Sequence, residues 1–472
     1  MTISLDRNSL REYRIGGRRM LFHVPTTSLF EIDEAAAAVM DAFFPGESIT
    51  ADGLTRRLEG AVDGAAVAEA LADLRALGVL TTPGGRGGDE PSSSSPPADS
   101  LTSLVLGVTN GCNLACTYCY KEDLQRPAGA ARLDPAHARA AVDLLIRESG
   151  TRPRVNLTFF GGEPLTALPL VRDTVAYAEE KAAAAGKRVD FSITTNGTLL
   201  DDRAVEFLAA HHFGVTVSMD GPPAIHDRNR RTAGGHGTWE AAAAGARRLL
   251  ARHRSRPVGA RVTLAGDGDD IAAIHRHLRE EIGFAEVGFA PVTAGLPAGL
   301  ATPRLFEGLA ALAGQWRDAA IEGRDIGFTN ISQMVTNLHE GSSKRIPCGA
   351  GLSLLAVAPD GALALCHRFA GSEAPTMGHV ESGIDHAATH RFIAAALDRA
   401  AGHCGGCHAR HLCAGGCYHE SHVRHGDMFR PTDHYCDLMR DWIDLGISIY
   451  AELMEANPSF LARRHGSPEA RP

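Results

Sequence analysis

Between residues 101 and 330, six apolar strand-like segments alternate with helical patterns, and no other feature of the sequence restricts the fold as much. The segments are LVLGVT (104–109), VNLTFF (155–160), DFSITT (190–195), VTVSM (215–219), ARVTL (260–264) and VGFAPV (287–292). Repeated β/α units imply an α/β fold with a parallel sheet and crossover helices, and near-continuous apolar strands fit burial on both faces. The first helical pattern opens with Asp134 and Pro135, an N-cap followed by a first-turn proline. Six units rather than eight predict a partial (β/α)6 barrel, open on one side. In such folds, ligands gather at the carboxyl ends of the strands.

The first of those strand ends carries CNLACTYC, a C-x3-C-x2-C run of Cys112, Cys116 and Cys119. Structural zinc takes four protein ligands, and three-ligand catalytic zinc normally includes histidine or carboxylate. Thiolates at these spacings suit an iron–sulfur cluster, and three of them leave one iron of a [4Fe–4S] cluster open. The competing reading is a chance grouping of buried cysteines. With its ordered aromatic, the loop resembles the C-x3-C-x-aromatic-C motif of radical S-adenosylmethionine (SAM) enzymes. The resemblance implies that SAM chelates the fourth iron, that Tyr118 lies against its adenine, and that reductive cleavage yields a 5'-deoxyadenosyl radical. The cofactor carries the hard step and the protein positions it.

Later strand ends extend the resemblance. FFGGEPL is similar to the family's GGEP segment; Gly161 and Gly162 permit close backbone approach, and Glu163 is expected to accept from the SAM amino group. TTNGT supplies Thr195 and Asn196 for the ribose and carboxylate. SMDG supplies Ser218 and Asp220, and HDRNR places Arg230 near the cofactor carboxylate. A Gly-Gly-Glu turn alone is usually just a turn; the weight lies in the order of these segments.

Seven of the ten cysteines fall after residue 340: Cys348, Cys366, Cys404, Cys407, Cys413, Cys417 and Cys436. The segment shows little periodicity, so something other than a core is expected to hold it. A zinc ribbon using nearby His403, His408 and His411 is one reading. The full pattern resembles the SPASM extension of radical enzymes that modify peptides, which implies two auxiliary [4Fe–4S] clusters and three clusters in all. By that resemblance Cys404, Cys407, Cys413 and Cys436 ligate the outer cluster, and Cys348, Cys366 and Cys417 the inner one. The inner set lacks a fourth cysteine, so its last iron is either open, for example to a substrate thiolate, or held by another ligand. His367 follows Cys366 where sulfatase maturases carry an Asp. It is a candidate base or a partner of the cluster ligands.

Residues 1–82 show strand signals in RIGGRRMLFHVPTTSLFEID and then three helical patterns, EAAAAVMDAFF, ADGLTRRLEG and GAAVAEALADLRALGVL. This order resembles the winged-helix-like leader-recognition domains of peptide-modifying enzymes, which add a peptide to a sheet edge. A small accessory domain without ligand is the alternative. Residues 83–100, PGGRGGDEPSSSSPPADS, lack large aliphatic groups and read as a flexible linker. The barrel is expected over 101–335, the SPASM extension with its closing helix over 336–456, and a frayed tail over 457–472.

Whole-chain resemblance, in FHVPTTSLFEID and CNLACTYCYKED, is to the quinohemoprotein amine dehydrogenase maturation enzymes. It implies thioether bonds between Cys sulfur and Asp or Glu methylene carbons of a small protein, an electron donor of flavodoxin or ferredoxin type, and a base such as Asp220 or His367. Other peptide crosslinks, to an α-carbon or between carbons, are the alternative; an iron–sulfur carrier or zinc-scaffolded peptide binder is the non-enzyme one. A net charge of −9 argues against nucleic acid as the main partner. No stretch approaches the roughly 20 apolar residues of a membrane span. The start of the chain lacks an apolar signal region, so a cytoplasmic site with reduced thiols is expected.

Overall fold

The computed structural model describes residues 2–82, 101–119, 131–266, 268–292, 303–372 and 374–465. The expected linker therefore lies outside the described residues. The N-terminal module holds two antiparallel three-stranded sheets. One comprises β2 (Leu10–Ile15), β3 (Arg18–His23) and β4 (Ser28–Glu31); the other has the order β5-β1-β6, from Ser48–Thr50, Thr2–Leu5 and Leu80–Thr81. Helices Glu34–Asp41, Ala51–Arg57 and Gly64–Ala76 are N-capped by Asp33, Thr50 and Asp63, whose side chains accept first-turn amides. Strand alternation makes β3 a shared wall. Leu21 enters the module's own core with Val39, Met40 and Leu54, while Met20 and Phe22 enter the main core.

The six expected barrel strands are present: β7 (Ser103–Thr109), β8 (Arg154–Gly161), β9 (Arg188–Thr195), β10 (Gly214–Ser218), β11 (Val258–Leu264) and β12 (Glu286–Pro291). They pair in parallel and in sequence order. The sheet has eight strands, however. β13 (Leu354–Val357) joins parallel to β7, and β14 (Leu363–Ala364) pairs antiparallel with β13. Four residues of LLAV carry too little pattern to announce a strand.

Burial alternates along the strands. Leu157, Phe159, Phe191, Ile193, Val215, Val217, Ala260 and Val262 face the helices and are buried. Phe159, Phe191 and Phe213 form an aromatic layer there, with ring centroids 5.4–6.3 Å apart; full burial of each ring is worth roughly 1.5–3 kcal/mol. The opposite faces carry Asn156, Thr158, Ser192, Thr194, Thr216, Ser218 and Arg261, all less buried. The expectation of strands apolar on both faces is thus corrected: the barrel lumen is polar.

The cysteine-rich extension is also more ordered than expected. Helix His386–Gly402 has 17 residues, and Leu355, Val357, Leu363, Phe369, Phe392, Leu412 and Tyr418 belong to the main core. Helix Thr329–His339 runs across the boundary placed at residue 335. The closing helix spans Asp433–Ala456. Beyond it Ser459–His465 is helical, with Phe460 and Leu461 buried and Phe460 edge-on to Trp316. The expected tail therefore packs over its described part, because those two apolar side chains find a site on the core.

Candidate active site

The loop after β7 carries Cys112, Cys116 and Cys119, all unpaired by disulfide. It is stapled to the segment after β10: Ala115 N donates to Arg231 O at 2.7 Å, Thr117 N to Asn229 O at 3.0 Å, and Thr117 Oγ1 to Asn229 Oδ1 at 2.8 Å. Burial pushes the Cys116 thiol up to about 11, and the charges of Cys112 and Cys119 push the same way; Arg230 pulls against them. Burial raises Cys112 likewise. Three crowded thiols, Cys112 and Cys116 among them raised by burial, are a costly set of anions unless a cation shares them. The donor chemistry fits an iron–sulfur cluster.

The two glycines of GGE are required by this loop. Gly162 N donates to Thr109 O at 2.8 Å, and Glu163 N to Gly111 O at 2.9 Å. A Cβ on Gly162 would sit 2.1 Å from Gly111 O; one on Gly161 (φ +153°) would sit 2.3 Å from Thr109 O. Glu163 is already held by its neighbours. Its carboxylate is 1% exposed, accepting from Leu165 N (3.0 Å) and Thr195 Oγ1 (2.8 Å) on Oε1 and from Asn196 N (2.7 Å) on Oε2. It braces the β8 end against the β9 end, with one hydrogen bond on Oε2 and two on Oε1. Asn196 Nδ2 reaches Asn113 Oδ1 at 2.9 Å, and Asn113 Nδ2 donates to Thr198 Oγ1 at 2.8 Å. Asn113, a spacer position in the cysteine motif, was not singled out from sequence.

Asp220, Arg230 and Tyr118 come together. The Tyr118 hydroxyl donates to Asp220 Oδ2. Arg230 Nε donates to the same oxygen at 3.0 Å, and its guanidinium lies 5.4 Å from the Tyr118 ring centroid. Thr263 N donates to Asp220 Oδ1 at 3.0 Å. Burial lowers the Arg230 pKa, but Asp220, Tyr118 and Cys116 hold it above the ordinary guanidinium value. Asp220 is 1% exposed, and it accepts three hydrogen bonds, two on Oδ2 and one on Oδ1. The geometry makes it a positioning residue for Arg230 and Tyr118 and disfavours its role as base. Behind it His226 Nδ1 accepts from Asp220 N at 3.4 Å, and His226 Nε2 lies 3.2 Å from Thr238 Oγ1.

Ser218 ends β10 on the lumen face, beside Arg261 in the sheet register. Arg261 is a lone cation in a strand of small and apolar residues, a signal that sequence reading passed over. Its guanidinium makes no ion pair among the described residues; burial and the Arg368 charge lower its pKa, and Tyr435 raises it. His367 packs on the lumen residue Phe160, with centroids 4.5 Å apart.

The seven distal cysteines separate into two groups. Cys404, Cys407, Cys413 and Cys436 line one cavity with Tyr435, Met439 and Arg440. Burial pushes Cys404 up to about 11, followed by the charges of Cys413 and Cys407. Cys348, Cys366 and Cys417 act on one another, with Cys366 pushed up to about 11 by burial and then by its two partners. Arg368 Nη1 lies 3.9 Å from Cys417 Sγ. Of the histidines named for a zinc ribbon, His408 is turned to Asp444, Nε2 to Oδ1 2.9 Å.

Residues 106–280 match the family model described as the Radical SAM superfamily. The chain is 38% identical over 141 residues to a serine-type anaerobic sulfatase-maturating enzyme of Bacteroides thetaiotaomicron, which is 29% of this chain and 33% of that protein. It is 31% identical over 144 residues to a cysteine-type enzyme of Clostridium perfringens, 29% and 38% of the two chains. The matches thus span about a third of the curated relatives' length. In fold, the chain is similar to anSMEcpe with bound AdoMet (TM-score 0.62, 20% identity, covering 77% of this chain and 98% of that one). It is also similar to Streptococcus suis SuiB bound to precursor peptide SuiA (TM-score 0.50, 15% identity, 92% and 99%). No helix among the described residues is long and apolar enough to cross a membrane. The sheet topology, the cysteine loop at its first strand end and the family match agree that this chain carries a domain of the radical SAM superfamily.

Proposed function

We propose that the protein is a radical SAM maturase that joins Cys sulfur to Asp or Glu methylene carbons in a small protein substrate, as in the maturation of the quinohemoprotein amine dehydrogenase small subunit. The observation that carries the acidic-residue reading is Arg261. It projects from the lumen face of β11 without an acidic partner among the described residues, suited to a substrate carboxylate. SuiB bound to a precursor peptide and anSMEcpe bound to AdoMet and a peptide support a peptide substrate.

A [4Fe–4S] cluster held by Cys112, Cys116 and Cys119 supplies, with SAM, one-electron reductive chemistry and a hydrogen-atom acceptor. The protein's own part is orientation. Asp220 fixes Tyr118 and Arg230 beside the cysteine loop, and Glu163 fixes the ends of β8 and β9. Forming the C–S bond removes one hydrogen atom from carbon, one proton from sulfur and one electron, which an iron–sulfur cluster would take up. His367, on the lumen wall against Phe160, is the group we assign to the proton. The two distal cysteine groups would hold two further clusters, the inner one with three thiolates. The module of residues 2–82 would bind the substrate's leader.

A second reading, oxidation of a Ser or Cys side chain, is favoured by the similarity to sulfatase-maturating enzymes; His367 in place of their Asp weighs against it. Anaerobic incubation with a small Cys-, Asp- and Glu-rich protein tests the proposal. Expected is a mass loss of two hydrogens per crosslink, mapped by fragmentation to Cys–Asp or Cys–Glu pairs. Arg261→Gln is expected to lower crosslinking roughly 10–100-fold, the scale of losing one charge-assisted contact, while SAM cleavage persists. Crosslinks mapped only to α-carbons or between carbons would overturn the proposal.

A further inference from the structure

Among residues that belong to none of the three cysteine groups, two imidazoles and a carboxylate converge. His137 lies in the first turn of helix Pro135–Glu148. His379 ends strand β15 (Gly378–His379), and Glu381 sits in the turn to β16 (Gly383–Ile384). One ligand atom from each lies within 4.8 Å of the others. We propose that His137, His379 and Glu381 form a site for one divalent transition-metal ion of the zinc class.

The spacing supports this. His137 Nε2 is 3.6 Å from Glu381 Oε1, and His379 Nδ1 is 3.8 Å from Glu381 Oε2. A tetrahedral zinc ion with bonds of about 2.0–2.2 Å separates its ligands by about 3.4 Å. Both histidines thus stand near ligand spacing from the carboxylate, each from a different oxygen, and all three ligand atoms lie within 4.8 Å of one another. The second support is orientation. His379 Nε2 lies 3.0 Å from Asp360 O, which fixes its proton there and leaves the Nδ1 lone pair toward Glu381. A ligand histidine whose other nitrogen donates to a backbone carbonyl is the usual outer arrangement of a metal site. Nδ1 also takes the Glu381 N–H at 3.3 Å, a long contact that the ion would replace.

The backbone makes room for the pair. Gly361 has φ +89°, and a Cβ there would stand 2.6 Å from His379 Nε2 and 3.1 Å from His137 Cγ. Only glycine lets the two rings approach edge to face at 5.3 Å between centroids. Two imidazoles and one carboxylate suit zinc, with water in the fourth position. The ion would clip the β15–β16 hairpin of the cysteine-rich extension to the first barrel helix. Nothing in this inference depends on the substrate chemistry proposed above.

Zinc and iron counted by elemental mass spectrometry on the anaerobically reconstituted, desalted full-chain holoprotein test the site. Expected is about one zinc per chain beyond the full iron complement, and a higher thermal midpoint with zinc. His137→Ala and His379→Ala are expected to lose that zinc with iron unchanged. Glu381→Gln, an exposed and mild change, is expected to weaken zinc binding about 10–100-fold. Less than about a tenth of an equivalent in the native protein, or full zinc retention in Glu381→Gln and either histidine variant, would overturn the proposal.

Discussion

At Gly162 the clash is steric alone. Its φ lies outside the left-handed region, yet a Cβ would meet Gly111 O at 2.1 Å. Alanine there must push the β8 end away from the cysteine loop, at a cost of about 1–3 kcal/mol as for other overpacking. Gly162→Ala is therefore expected to lower both the thermal midpoint and the iron bound per chain. Gly186→Ala is the control: φ is +65° but nothing lies within 4 Å of its Cβ. It should cost about 1–2 kcal/mol and leave iron unchanged. Equal iron loss in both would show that general destabilisation rather than the loop contact matters. Much of the site was legible at this scale, because Cys112, Cys116, Cys119, Gly161 and Gly162 are fixed by contacts local to two strand ends. The hydrogen-bond partners of Glu163 and Asp220 were not. A carboxylate's residue type does not tell whether its oxygens face a ligand or are consumed by Thr195 and Asn196, or by Tyr118, Arg230 and Thr263.

Among the elements, the closing helix Asp433–Ala456 does more than end the chain. Asp444 Oδ1 accepts from the Tyr13 hydroxyl at 2.5 Å and faces His408 Nε2 at 2.9 Å, while Arg11 Nη2 donates to Oδ2 at 2.6 Å. One carboxylate thus ties β2 of the N-terminal module to the loop of Cys404 and Cys407. Burial raises its pKa, but His408, Tyr13 and Arg11 bring it down to about 2. Asp444→Ala leaves three polar groups short of a partner, costing about 1–3 kcal/mol. Amide exchange in β2 is expected to quicken in that variant. Glu455→Ala removes only the exposed ion pair to Arg18, 2.6 Å, and should change stability by less than about 1 kcal/mol. Unchanged β2 exchange in Asp444→Ala would mean that the module's other contacts, Ile15, Met20, Phe22 and Val24 in the main core among them, hold it. None of this joint could be read from sequence, because it links positions with no shared pattern. The six barrel strands could be, since each is a sustained apolar run between turn signals. β1, β5, β6, β13 and β14 have four residues or fewer, too few for a period to register.

At the scale of the whole molecule, buried histidines outside the cysteine groups are held neutral, His23, His226 and His275 among them. His23, His226 and His275 are 0%, 0% and 6% exposed. Each is lowered to about 4, first by burial and then by a cation: Arg410 for His23, Arg230 for His226, Arg279 for His275. They lie in the N-terminal module, beside the cysteine loop and under the barrel's last strands, so their protonation would loosen all three regions. The unfolded chain protonates them near pH 6.5, the folded chain only near 4. Between those values the unfolded state binds more protons, so stability rises with pH. Their contribution is complete above about pH 6.5 and is lost progressively as pH falls toward 4. At pH 5.5 each histidine accounts for about 1 kcal/mol, together a sizeable part of a typical stability of about 5–15 kcal/mol. Unfolding midpoints at pH 7.5 and 5.5 should therefore differ in the native protein. His275→Gln, which packs near Phe328 away from the cysteines, should shrink that difference by its share, while acid effects on bound clusters cancel between the two proteins. If the pH difference is the same with and without His275, buried neutral histidine is not what makes the fold sensitive to acid.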